Sequence, residues 1–133
     1  MVLENGQLLV AGVADSSGKG FVRRLNADGS IDGSFQAPEF DGGVEAAALD
    51  GDGVLIGGSF SGGLARLDAS GAVDVEWNIS ADGVVKAIAM QGEDAAIVGG
   101  AFQTIGGRAQ AGLARIKLRG ALFATNANGR FQA

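Results

Sequence analysis

The sequence predicts an all-β protein made of tandem four-stranded antiparallel units, about three of them along the chain. Three observations lead there. Apolar stretches ending in a small-residue pair recur, glycine-rich turns separate short β-prone runs, and no stretch keeps a 3.6-residue apolar period between helix caps. The apolar stretches are Leu8-Leu9-Val10-Ala11-Gly12, Val54-Leu55-Ile56-Gly57-Gly58 and Ala96-Ile97-Val98-Gly99-Gly100. Their closing glycines, Gly12, Gly58 and Gly100, stand 46 and 42 positions apart.

Two further landmarks recur in the same order. Arg24-Leu25-Asn26-Ala27-Asp28-Gly29-Ser30-Ile31 aligns without a gap with Arg66-Leu67-Asp68-Ala69-Ser70-Gly71-Ala72-Val73, and with Arg115-Ile116-Lys117-Leu118-Arg119-Gly120-Ala121-Leu122. Phe35 and Trp77 follow their arginines by the same interval, where the third unit has Asn126. Gly43-Val44-Glu45-Ala46-Ala47-Ala48-Leu49 pairs with Val84-Val85-Lys86-Ala87-Ile88-Ala89-Met90 as the opening of a unit.

The second unit shows the elements in order. A strand over 44–49 is followed by the Asp50-Gly51-Asp52-Gly53 turn, and a strand over 54–60 runs into the Gly62-Gly63 turn. A third strand over 64–68 ends at Ser70-Gly71, and a fourth over 72–77 closes the unit at Trp77. Asx-Gly and Gly-Gly pairs supply the positive φ that hairpin turns need. The near-continuous apolar strand before Gly57-Gly58 should be buried on both faces, with the glycines allowing close approach of neighbouring chains. Four strands in roughly 45 residues is the size of a propeller blade. The chain reads as a single repeat domain, 1–133, with approximate blades over 1–42, 43–82 and 83–133.

Composition limits the chemistry. Apolar residues at 47% and charged residues at 19% belong to a globular chain, and 24 glycines without a G-X-Y period fit many tight turns. Ten basic residues against fifteen acidic give a net charge of −5, which opposes nucleic-acid or anionic-membrane binding. Apolar runs such as 54–56 fall far short of the ~20 residues of a spanning helix, so no membrane insertion is expected. Cysteine, histidine and tyrosine are absent, which removes disulfides, thiolate and imidazole metal ligands, and the Ser–His–Asp and Cys–His arrangements.

The landmark residues resemble the delta-60 repeat, a bacterial β-propeller repeat family. Val85-Lys86-Ala87-Ile88-Ala89-Met90, Val98-Gly99-Gly100-Ala101-Phe102 and Arg24 through Asp32 carry the likeness, and Phe102-Gln103-Thr104-Ile105-Gly106-Gly107 fits the loop after the phenylalanine. The resemblance spans essentially the whole chain. It implies a propeller, often in a cell-surface or secreted setting, and no defined reaction. Departures are a short connection from Gly58 to Arg66, and in the third unit Phe123 where the aspartate belongs.

Asn128 to Ala133 aligns with Asp82 to Ala87, and Met1-Val2-Leu3 with Ala89-Met90-Gln91, so the chain covers nearly three whole units. Known propellers close with about four to eight blades. The expected remedy is a homo-oligomer joined head to tail, with two chains forming six blades; an excerpt of a longer array is the other explanation.

No catalytic, cofactor-binding or metal-ligating residue is assigned, and no cofactor. Asp28, Asp52 and Asp82 read as turn residues rather than as paired catalytic carboxylates. Asp50-Gly51-Asp52-Gly53 resembles the start of a calcium loop without its later ligands. Arg24, Arg66 and Arg115 recur in register, either as cations lining a channel or as structural pairs with a neighbouring blade; the second is favoured. Trp77 with Phe35, Phe60 and Phe102 is assigned to the core. The expected function is a noncatalytic scaffold or interaction protein, with the Gln103 to Ala111 loop as its contact surface. A carbohydrate- or small-ligand-binding module, or a structural component of a larger particle such as a phage virion, is the alternative.

Overall fold

Short apolar runs punctuated by glycine favour strands over helices, and every regular element among the described residues is a strand. The computed structural model describes residues 2–3, 5–14, 17–51 and 53–118. Strands β1 (Leu8–Val13) and β2 (Gly20–Leu25) pair antiparallel, and single bridges from Val2 to Leu8 and from Leu25 to Ile31 extend them. Strands β3 (Val44–Asp50), β4 (Gly53–Gly58) and β5 (Leu64–Leu67) form a second sheet in that order. In the third, β6 (Val84–Gln91) lies beside β7 (Ala95–Ala101), and β7 beside β10 (Leu113–Lys117). A hairpin of β8 (Thr104–Ile105) and β9 (Arg108–Ala109) is inserted between β7 and β10.

The fourth strand of the second unit narrows to one bridge, Leu67 to Val73, followed by the Asp74 amide donating to the Arg66 carbonyl at 2.8 Å. Asp74 then ends the pairing. Its Oδ1 accepts the Glu76 amide at 3.1 Å and its carbonyl accepts the Trp77 amide at 3.2 Å, turning the chain so that Trp77 enters the core. Asp32 does the same for Phe35, with its Oδ1 taking the Ser34 amide at 3.0 Å and its carbonyl the Phe35 amide at 3.2 Å. These Asx turns compete with the sheet ladder and win locally.

Glycines act in two ways. Gly29 and Gly71 close equivalent turns at φ of 91° and 89°, which L side chains rarely adopt. Gly58 and Gly100 lie instead beside bulges, where register slips between Val44 and Ala46 and between Val85 and Ala87. A Cβ on Gly58 would sit 2.0 Å from the Gly43 oxygen, and one on Gly100 2.1 Å from the Val84 oxygen, so only glycine fits.

The three sheets stack through two apolar cores. Val54 and Ile56 of β4 join Leu9, Val22, Phe35 and Leu67 on the side of the first sheet. Leu55 points the other way, into a cluster with Leu64, Trp77, Val85, Val98 and Phe102 on the side of the third. All six residues of β4 are buried, as expected of a strand between two neighbours. Gly57 marks the closest approach, since a Cβ there would lie 2.5 Å from the Val85 side chain of the next sheet.

Candidate interaction surface

The segment expected to be an irregular contact loop, 103–111, is an ordered hairpin. Thr104 pairs with Ala109 and Ile105 with Arg108 across Gly106 and Gly107, whose φ values are 59° and 79°. Ile105, only 3% exposed, anchors the hairpin in the second core, while Gln103, Thr104 and residues 106–111 are exposed. Two ties fix it to the body: the Ala81–Ile105 bridge, in which the Gly106 amide donates to the Ser80 carbonyl at 2.8 Å and the Asp82 amide to the Thr104 carbonyl at 3.1 Å, and Asp82 Oδ1, which accepts the Gln103 and Thr104 amides at 2.7 and 3.0 Å. The result is a short polar finger held rigidly at one edge of the stack.

Asp82 thus does more than the turn role read from its Asp-Gly pair. Asp41 stands at the equivalent position one unit earlier and holds the corresponding connection, its Oδ1 accepting the Ser61 amide at 2.7 Å and its Oδ2 the Ser61 hydroxyl. Asp28 keeps the expected turn role, taking the Ser30 hydroxyl at 2.6 Å and amide at 2.9 Å. Asp68 does likewise with Ser70. Asp52 lies outside the described residues.

Such donors stabilise the ionised form. The Ser30 hydroxyl and then its amide hold Asp28 below the ordinary carboxylate value of 3.8. Ser70 acts in the same way on Asp68, and Ser61 on Asp41. Ser34, followed by Gln7 and Arg24, depresses Asp32. The Thr104 and Gln103 amides lower Asp82. Carboxylates held ionised in this way are poor general acids at neutral pH.

The recurring arginines pair inside their own sheet, which corrects the expected pairing with a neighbouring blade. Arg24 Nε meets Asp32 Oδ2 at 2.9 Å, and its guanidinium lies 4.9 Å from the centre of the Phe35 ring. Arg66 bridges the buried Asp50 at 2.7 Å and Asp74 at 3.3 Å, tying the first, third and last strands of the unit together. Asp50 foremost raises the Arg66 pKa above its ordinary value. Arg115 donates to Gln91, the residue aligned with Asp50. With Asp50 committed to Arg66, the calcium-like segment loses its first ligand. Among the described residues no three His, Cys, Asp or Glu side chains gather in a metal-holding group.

Phe35, Phe60, Trp77 and Phe102 are all buried, at 5%, 6%, 6% and 1% exposure. Beside them a shallow cleft of about 390 Å³ is lined by Phe40, Phe60, Val75, Trp77, Asn78 and Ser80 among others. The Trp77 indole N–H is buried and has no hydrogen-bond partner among the described residues.

Residues 3–35 match the family model described as "Domain of unknown function (DUF5122) beta-propeller". That stretch contains β1, β2 and the turn that delivers Phe35 to the core. Together with three stacked antiparallel sheets, the match over that stretch supports a β-propeller-type repeat fold. No curated protein and no solved structure matches the chain.

Proposed function

We propose that the protein is a noncatalytic propeller scaffold that presents a rigid contact hairpin, and that its repeats are of the delta-60 kind. The observation that carries this reading is the β8–β9 hairpin. Its backbone is fixed by the Ala81–Ile105 bridge and by the Asp82 carboxylate, yet its outward residues Gln103, Thr104, Arg108 and Gln110 are exposed. A preorganised polar finger loses little entropy when it binds, which suits recognition. The described acidic residues in the turns hold backbone and hydroxyl donors, a structural occupation that supports the noncatalytic reading.

The unit alignment supplies the test. Replacing 103–111 with the short Ser61-Gly62-Gly63 connection of the second unit should keep the β-type circular dichroism, with an unfolding transition lowered by the loss of the buried Ile105. Cross-linking from a photoreactive residue at Arg108 in the intact chain should give a discrete adduct that one at Glu76 does not. Equal labelling from both sites would contradict the reading, as would a hydrolase activity abolished by a single carboxylate substitution.

The cleft beside Trp77 favours a second reading, a module for a carbohydrate or another small ligand with an apolar face. A glycan array, with Trp77 fluorescence as readout, distinguishes the two. A role within a larger particle such as a phage virion is compatible with the first reading.

A further inference from the structure

Each sheet has two unlike faces. The one turned toward the preceding sheet is its front, and the one turned toward the following sheet is its back. Within the chain the back of the first sheet meets the front of the second, and the back of the second meets the front of the third. Among the described residues, what remains outermost is therefore one front, on the first sheet, and one back, on the third.

The repeat allows each open position to be compared with its buried counterpart. On the open back, Leu113 is 65% exposed, whereas Leu64, its equivalent in the second sheet, is 5% exposed. Ile97 is half-buried where Leu55 is fully buried. A Cβ on Gly99 would meet nothing closer than 3.7 Å, against 2.5 Å at Gly57. On the open front, Val10 is 38% exposed where Ile56 and Val98 are both at 0%. Leu8 and Leu25 are half-buried, while their counterparts Val54 and Leu67 are 3% and 0% exposed. Both open faces thus keep most of the apolar residues of an internal contact, with Arg23 on the front where the second and third sheets have Ala65 and Ala114.

We infer that these two faces bind each other between copies of this chain, back to front, repeating the contact that already joins its own sheets. The partner is a second copy because one chain presents both halves of a contact it makes twice internally. A front and a back on opposite ends define a heterologous interface, which closes into a ring when the rotation per sheet allows. Two copies supply six sheets, within the range of about four to eight that propellers use. The inference stands on the repeat geometry and is independent of what the hairpin contacts.

The wild-type chain should elute with a mass near twice 13.2 kDa, or a larger whole multiple, by light scattering behind size exclusion. Leu113→Asp blocks the back and Val10→Asp blocks the front, both at partly exposed positions; circular dichroism verifies that each variant folds. Each alone should be a monomer. Mixed, they should form a 1:1 pair through the one intact back and the one intact front, captured by a tag on either variant. If Val10→Asp lowers the content of folded protein, Arg23→Glu on the same face replaces it. A folded wild-type monomer would overturn the inference. So would either variant remaining associated on its own, because that requires like faces to pair.

Discussion

The second and third sheets share a plan and differ in what surrounds them. In the second, β4 is buried along its whole length and Arg66 holds two carboxylates, one of them fully enclosed. In the third, β7 is buried chiefly on one side, and the equivalent Arg115 is exposed and, among the described residues, donates to an amide side chain rather than a carboxylate. The same strand pattern therefore carries an internal sheet or an end sheet, according to whether a neighbour lies against its back. Burial at a repeat position is set by the stack as much as by the residue.

That difference is open to mutation. Leu55→Ala should cost about 2–5 kcal/mol, because it opens a cavity between two sheets that cannot fully collapse. Ile97→Ala, at the equivalent place on the open back, should cost under about 1.5 kcal/mol when measured on dilute protein. Comparable losses at both positions would mean that the two sheets are equally enclosed. Urea unfolding of the pair reads this directly.

The polar counterpart is smaller. Asp50→Ala leaves Arg66 with Asp74 and the backbone carbonyl of residue 50 and strips a carboxylate partner from a partly buried guanidinium, so about 1.5–3 kcal/mol should be lost. Gln91→Ala removes only the exposed partner of Arg115 and should change stability by less than about 0.5 kcal/mol. A double cycle with Arg66→Met would show whether the Asp50 effect passes through the guanidinium.

Acid should weaken the fold more gradually. Asp28, Asp32, Asp41, Asp68 and Asp82 are held below the ordinary value of 3.8, so the unfolded chain takes up protons first. Their contribution is complete above that value and is lost as pH falls through it toward the depressed folded values. The urea midpoint should be flat between about pH 5 and 7 and decline below about pH 4. Asp82→Asn should reduce that decline, while a midpoint unchanged down to about pH 2.5 would mean that these turns add nothing to stability.

Much of the fold was legible because its signals are local. Gly57-Gly58 and Gly99-Gly100 mark the central strand and its bulge, and Asn26 to Gly29 with Asp68 to Gly71 mark the turn after the third strand. The arginine partners were not legible. Asp50 and Arg66 meet across β4 from strands that flank it, a relation that appears only once register is known. The shortened fourth strand escaped for a related reason: Asp32 and Asp74 look like strand residues until their side chains are seen capping the next amides. The hairpin at 104–109 did carry a signal in Gly106-Gly107, but two-residue strands are too short to show a period of two. The tether from Asp82 could have been suspected from Asp41, which precedes the Gly42-Gly43 pair just as Asp82 precedes Gly83.

The claim that the end sheets are internal sheets awaiting a neighbour has one direct test, the unfolding midpoint of the wild-type chain as a function of its own concentration. Association through the open faces predicts a midpoint that climbs steadily over a hundredfold rise in concentration, and a Leu113→Asp variant that stays flat. A wild-type midpoint independent of concentration, level with that of the variant, would contradict it.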